Sequence, residues 1–151
     1  MSSLRVLLLV LISIPIAAAA RADDRGDILS ADRAFSAAFS TLKIQSMDSL
    51  WAHDNGVTII HPSSKTVLVG WEAVRKSWLE VFARNAELSV TMDNPVASAT
   101  DKVGWVVGVE KVHARRLSGE VVDASVLTTN VYEKRDGRWL IVHHHGSRMP
   151  Q

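Results

Sequence analysis

Six histidines, three of them consecutive at His143, His144 and His145, are the first residues to weigh for chemistry. An imidazole titrates near neutral pH and serves as general acid, general base or hydrogen-bonding partner. Strand alternation divides the run, so His143 and His145 share one face and His144 takes the other. The turn at Asp136-Gly137 sets what they meet. Taken as a two-residue type I′ hairpin loop, it puts Arg135 opposite Arg138, Tyr132 opposite Ile141, Asn130 opposite His143 and Thr128 opposite His145. The expected polar face is therefore Asn130, Thr128, His143 and His145, with His144 turned outward to an interface. The alternative is structural, with the imidazoles buried and satisfied by backbone and Ser147.

Glu110 is the second candidate. It lies in an apolar strand on the face shared by Val106, Gly108 and Val112, where a carboxylate is costly unless paired or functional. An apolar wall would raise its pKa and make it a general base; a salt bridge or a strand-end exposure is the alternative. His61 ends a short strand beside Pro62, with Asp54 in the preceding turn, and is a candidate pocket residue. Five of the nine aromatic residues are tryptophan, and Trp71, Trp78 and Trp105 are candidates for a planar wall or for plain core.

Other chemistries are excluded or unsupported. The chain has no cysteine, hence no thiolate nucleophile and no Cys-based metal site. Histidines two apart on a strand are not a diagnostic metal spacing, and no His-Glu-x-x-His motif occurs, so no metal is expected. Without a glycine-rich phosphate loop no nucleotide cofactor is expected, and without a Gly-x-Ser-x-Gly elbow no serine hydrolase is. A formal charge of +1 argues against nucleic acid as a partner.

The positioning elements follow from periodicity. With 151 residues, 47% hydrophobic and 22% charged, one domain with a real core is expected. Arg5, the apolar run Val6 to Ala20 and the small pair Ala20 and Ala22 read as a signal peptide over residues 1–22, cleaved after Ala22. The run is short for a bilayer span, so export to the periplasm or medium is expected rather than a stable membrane anchor. Residues 23–151 then form the domain. Ile28, Ala31, Phe35, Ala38, Phe39 and Leu42 predict a helix, and a short second one starts near Ser46. Val57 to His61 predicts a strand. After Gly70, Trp71, Val74, Trp78, Val81 and Phe82 form the apolar stripe of a third helix. From Glu87 the period becomes two, interrupted at Asn94-Pro95. Strands are predicted at Val103–Ala114, Val121–Lys134 and Arg138–His145. Helices followed by antiparallel strands read as α+β. The last hairpin carries large apolar groups on both faces, and a second subunit is the simplest cover for Leu127, Val131, Leu140 and Val142.

The segments "WAHDNGVTIIHP", "VGWEAVRKSW", "DNP" and "TNVYEKRDGRWLIVHHHGS" together resemble the nuclear transport factor 2-like superfamily. The likeness is strongest to its SnoaL-like branch and to the association domain of calmodulin-dependent kinases. The resemblance implies a cone, a strongly curved sheet wrapped around amino-terminal helices, with an interior pocket and dimerisation through the sheet. It is specific for fold and says little of function, since the superfamily hosts isomerases, cyclases, dehydratases and pure binders. It puts Asn130 in the pocket. Positions where the kinase branch keeps pocket arginines fall on Glu110, Asn130 and Gly146, and a pocket histidine falls near Val74. The implied pocket is therefore largely apolar and non-cationic. Steroid-isomerase relatives use a pocket tyrosine with two acids; the single tyrosine here, Tyr132, sits near a hairpin end, and that arrangement is not expected.

The expected function is binding of a small neutral organic molecule by an exported homodimeric domain, with His61, Trp71, Trp105, Asn130 and Thr128 as ligand contacts. One alternative is an acid–base isomerase, cyclase or dehydratase using Glu110 with His143 or His145. Another is an assembly module without a ligand.

Overall fold

The computed structural model describes residues 16–149, with side chains from residue 24 onward. Most of the expected leader therefore lies outside the described residues. Helix α1 runs Ile16–Ser40, α2 Ile44–Asp48 and α3 Trp71–Phe82. The strands are β1 Thr58–Ile60, β2 Leu68–Val69, β3 Asn85–Ala99, β4 Val103–Arg116, β5 Val121–Arg135 and β6 Arg138–Arg148. They form one six-stranded sheet in the order β2-β1-β6-β5-β4-β3. The fold is α+β, as expected, with the long antiparallel strands curved over the helices. One pairing was not foreseen: β1 lies parallel to β6, Ile59 beside His144.

The core forms where the helical stripe of α1 meets the inner face of the sheet. Ile28, Phe35 and Phe39 are buried there, and α3 adds Trp71, Val74, Trp78 and Phe82. A strand residue with a side chain at Gly104 could not permit this approach. A Cβ there would stand 2.5 Å from Ile28 Cδ1 and 2.8 Å from Ser98 O.

Three register shifts curve the sheet, as extra residues on one strand of a pair do, one of them at Asn85/Glu87 where β3 begins and two deeper in the sheet. In β3 the register shifts between Asp93 and Val96, with Asn94 at φ 47°. The Asn94-Pro95 pair thus makes a bulge within one long strand, where the sequence predicts a break. The second of the deeper shifts lies between Val131 and Tyr132. Up to Tyr132 opposite Ile141 the hairpin keeps the expected register. Beyond it Val131 faces His143, Asn130 faces His144 and Thr129 faces His145. One extra residue on β6 reverses the phase of every side chain after it. Ile141 and His144, three apart, are accordingly both buried on the inner face.

Candidate functional site

Between α1, α3 and the inner face of β4–β6 lies a cavity of about 850 Å³. Its buried end is lined by Phe39, His61, Ser77, Trp78, Glu110 and His144, and its exposed end by Arg84, Arg116 and Arg148. The lining is mixed, not the non-cationic one expected, because three arginines line its exposed margins.

Glu110 is 2% exposed and makes no ion pair among the described residues, so neither structural alternative for it applies. Its Oε1 has no hydrogen-bond partner. Burial raises its pKa to about 7; the Thr128 hydroxyl opposes the rise and the charge of Asp32 adds to it. A carboxyl poised there can give or take a proton near neutral pH. Trp78 lines the same cavity, and its Nε1–H is buried without a hydrogen-bond partner.

His144, expected outward, is the imidazole on this wall. It is 2% exposed, and its Nδ1 lies 2.7 Å from Asn130 Oδ1. The Asn130 amide is oriented from behind, since its Nδ2 donates to Asp32 Oδ1 at 2.7 Å. Tyr132 donates its hydroxyl to the same oxygen at 2.8 Å. Asn130 Oδ1 must therefore accept, which puts the His144 proton on Nδ1 and leaves Nε2 bare. Burial, with His61 next, lowers the His144 pKa to about 3, so it is neutral. His61 is similar. Its Nε2 meets Ser77 Oγ at 2.9 Å, and that hydroxyl already donates to Val74 O at 2.7 Å. His61 thus carries its proton on Nε2, and burial brings its pKa down to about 4.

The other expected site residues separate. His143 and His145 occupy the opposite sheet face from Asn130 and Glu110, because of the β6 bulge. His143 Nδ1 pairs with Thr58 Oγ1 at 2.7 Å and His145 Nε2 with Ser147 Oγ at 3.0 Å. Proton transfer between either of them and Glu110 in one pocket is ruled out by this geometry. Asn130 and Thr128 are buried on the inner face but stand behind the lining, Thr128 against Glu110 and Asn130 against His144. Trp71 stacks on His53 with centroids 4.4 Å apart, away from the cavity. Trp105 is 42% exposed on the outer face.

Asp32 is the residue sequence reasoning missed. It falls between Ile28 and Phe35 on the buried stripe of α1, and an acid at that spacing was the available signal. Burial raises its pKa, against the hydrogen bonds of Asn130 and Tyr132. Tyr132, set aside as a hairpin-end residue, is 1% exposed and bound to this acid. Desolvation pushes its hydroxyl well above the ordinary range, so it remains a donor.

Comparisons with known proteins agree with this architecture. A proposed dehydratase of the nuclear transport factor 2-like family from Streptomyces avermitilis superposes with a TM-score of 0.78 at 21% identity, over 87% of this chain and 99% of that one. A proposed calcium/calmodulin-dependent protein kinase type II association domain from Thiobacillus denitrificans gives 0.65 at 28% identity, over 80% and 93%. The F-box protein SKIP8 of Arabidopsis thaliana is 27% identical over 122 residues, 81% of this chain; the chain spans about half the length of that relative, 49%. The profile of the SnoaL-like domain matches residues 28–151, and the chain belongs to that family.

Proposed function

We propose that the cavity binds a small organic molecule and that Glu110 exchanges a proton with it, in isomerase-, cyclase- or dehydratase-type chemistry. What carries this reading is the unpartnered Oε1 of a carboxyl buried on the cavity wall and poised near pH 7. His61 and His144 add two neutral imidazoles, each with one bare nitrogen, which can accept from a ligand hydroxyl. The earlier pairing of Glu110 with His143 or His145 is replaced by Glu110 with His144 as a hydrogen-bond acceptor.

The test begins with protein purified from its own host and the small molecule it retains, identified by mass spectrometry. Incubated with that molecule in deuterated water, the protein should catalyse incorporation of deuterium into the molecule at carbon. Glu110→Gln should keep its affinity and lose exchange by ~10²-fold or more. Retention of the molecule with no exchange by either protein would leave a pure binding domain.

The outer face supports a second proposal, a homodimer. Trp105 and Leu127 are 42% and 48% exposed there, an apolar surface that water covers poorly. Light scattering should give twice the mass of one chain, and Leu127→Glu should halve it. Export remains a proposal supported by the leader-like residues 1–22; a mature amino terminus at Asp23 in the secreted or periplasmic fraction is its expected signature.

A further inference from the structure

One indole holds both cavity imidazoles, His61 just past β1 and His144 on β6. Their ring centroids lie 5.0 Å and 5.6 Å from that of Trp78, His61 at 87° to it and His144 at 56°. Phe39 meets the same indole at 4.7 Å, and all four rings line the cavity. Each imidazole spends its proton on the protein, Nε2–H of His61 on Ser77 Oγ and Nδ1–H of His144 on Asn130 Oδ1. Those acceptors are committed in turn, because Ser77 donates to Val74 O and the Asn130 amide to Asp32 Oδ1. His61 Nδ1 and His144 Nε2 are left without a partner among the described residues. Neither belongs to the unpartnered polar atoms that are sealed from solvent, so each opens on the cavity its ring lines.

Two fixed lone pairs decide what can face them. A carbonyl or an ether would set lone pair against lone pair, and a carboxylate would add charge to that mismatch. An ammonium group can donate, but it would lose its hydration beside uncharged rings and meet the charge of Arg84, which outweighs that of Glu80 at His61. A hydroxyl donates its proton without bringing a charge into the interior. We propose that the ligand is an uncharged phenol-type compound whose hydroxyl groups donate to His61 Nδ1 and His144 Nε2, with the rings of Phe39 and Trp78 against its apolar body. This rests on the cavity being the ligand site, and it narrows the small organic molecule to one that gives two hydrogen bonds.

The probes 2,7-dihydroxynaphthalene and 2,7-dimethoxynaphthalene share a ring system and two oxygens and differ in the donor hydrogens. Both fluoresce, and at neutral pH both are uncharged. Methylation adds apolar area, so burial alone favours the ether. The diol should nevertheless bind about tenfold more tightly, since the ether leaves both imidazole lone pairs unsatisfied. His61→Phe, which keeps a ring against Trp78, should weaken the diol several-fold and leave the ether unchanged, and circular dichroism checks that it is folded. A second measurement needs no variant. In ¹⁵N spectra of the unaltered protein, His61 Nδ1 and His144 Nε2 should move upfield when the diol is added and stay in place with the ether. Equal affinity for the two probes, with both lost in Val112→Trp in the cavity wall, would overturn the hydroxyl proposal and leave the cavity as a small-molecule site. Binding of neither probe, or binding that survives Val112→Trp, would overturn both.

Discussion

The inner and outer faces of the sheet carry the same residue types but treat them differently. On the inner face, His144, Asn130, Asp32 and Tyr132 form one hydrogen-bonded chain in which each orientation dictates the next. On the outer face, His143 and His145 pair singly with the hydroxyls of Thr58 and Ser147 and stay half-buried. Adjacent histidines on one strand thus differ in burial and in hydrogen-bond partner for reasons outside their own identity. Burial decides whether an imidazole is charged, and the partner decides which nitrogen is bare. A pocket that must present a defined acceptor uses both controls. A surface histidine uses neither fully.

Truncating each chain at its centre should sharpen that contrast most. Asn130→Leu leaves the His144 Nδ1–H without an acceptor and Asp32 Oδ1 with Tyr132 as its remaining donor, one group orphaned in the interior and one weakened. At roughly 1–3 kcal/mol for an unsatisfied group and about 1 kcal/mol for a lost hydrogen bond, the loss should be about 2–4 kcal/mol in urea unfolding. His143→Ala on the outer face should cost under about 1 kcal/mol, the worth of one partly solvated hydrogen bond. Equal losses would remove the distinction between the faces.

Much of this architecture was legible. The stripe from Trp71 to Phe82 marked α3, and the Asp136-Gly137 turn fixed the end of the last hairpin, with Tyr132 opposite Ile141. Glu110 was legible because an acid among Val106, Gly108 and Val112 contradicts its surroundings. The histidines were misassigned because a bulge has no strong local code. Val142 and its neighbours alternate acceptably in either phase, and only the helix packed above decides which histidine is buried. Asp32 was passed over for a related reason. Ala31 filled the expected apolar position, and the acid beside it looked like the solvent face. That Arg84, Arg116 and Arg148 would line one cavity could not be read locally at all, since they come from three elements far apart in sequence.

The second prediction concerns Glu110, the inner face's unsatisfied group. Its carboxyl is protonated below about 7 in the fold and below about 4.5 when unfolded. Between those values the folded state binds the extra proton, so this group's contribution to stability falls as pH rises. His61 and His144 act oppositely: ordinary when unfolded and held near about 4 and about 3 when folded, they lower stability as pH falls from 6.5. Asp32, its pKa also raised by burial, adds to the acid side. Glu110→Gln mimics the protonated form at all pH values. It should remove this group's loss of stability above pH 4.5 and, at pH 8, stabilise by up to about 3 kcal/mol, the size of a shift of this order. No gain in melting temperature at pH 8 would mean that Glu110 is ionised without cost, and its role as the poised acid would fall.

The smallest effect is spectroscopic, and it reads the comparison directly. Long-range ¹H–¹⁵N correlation spectra distinguish the two neutral imidazole tautomers, and the two cavity histidines should show opposite ones. His144 should be the Nδ1–H form, because Asn130 Oδ1 is fixed as an acceptor by the donation of its amide to Asp32. His61 should be the Nε2–H form, because the Ser77 proton is committed to Val74 O. Neither should titrate between pH 8 and 5, since both lie at or below about 4. His143 should titrate below the ordinary imidazole value, displaced by partial burial and by His145. A charged His144 at pH 6 would mean that its amide partner is reversed or its burial broken. The bare Nε2 on the cavity wall would then be lost, and with it the acceptor that pairs with Glu110 in the proposed chemistry. Opposite tautomers on one wall would instead mean that the cavity presents two lone pairs held by two independent hydrogen-bond chains. That arrangement orients a polar ligand without placing any permanent charge at the floor.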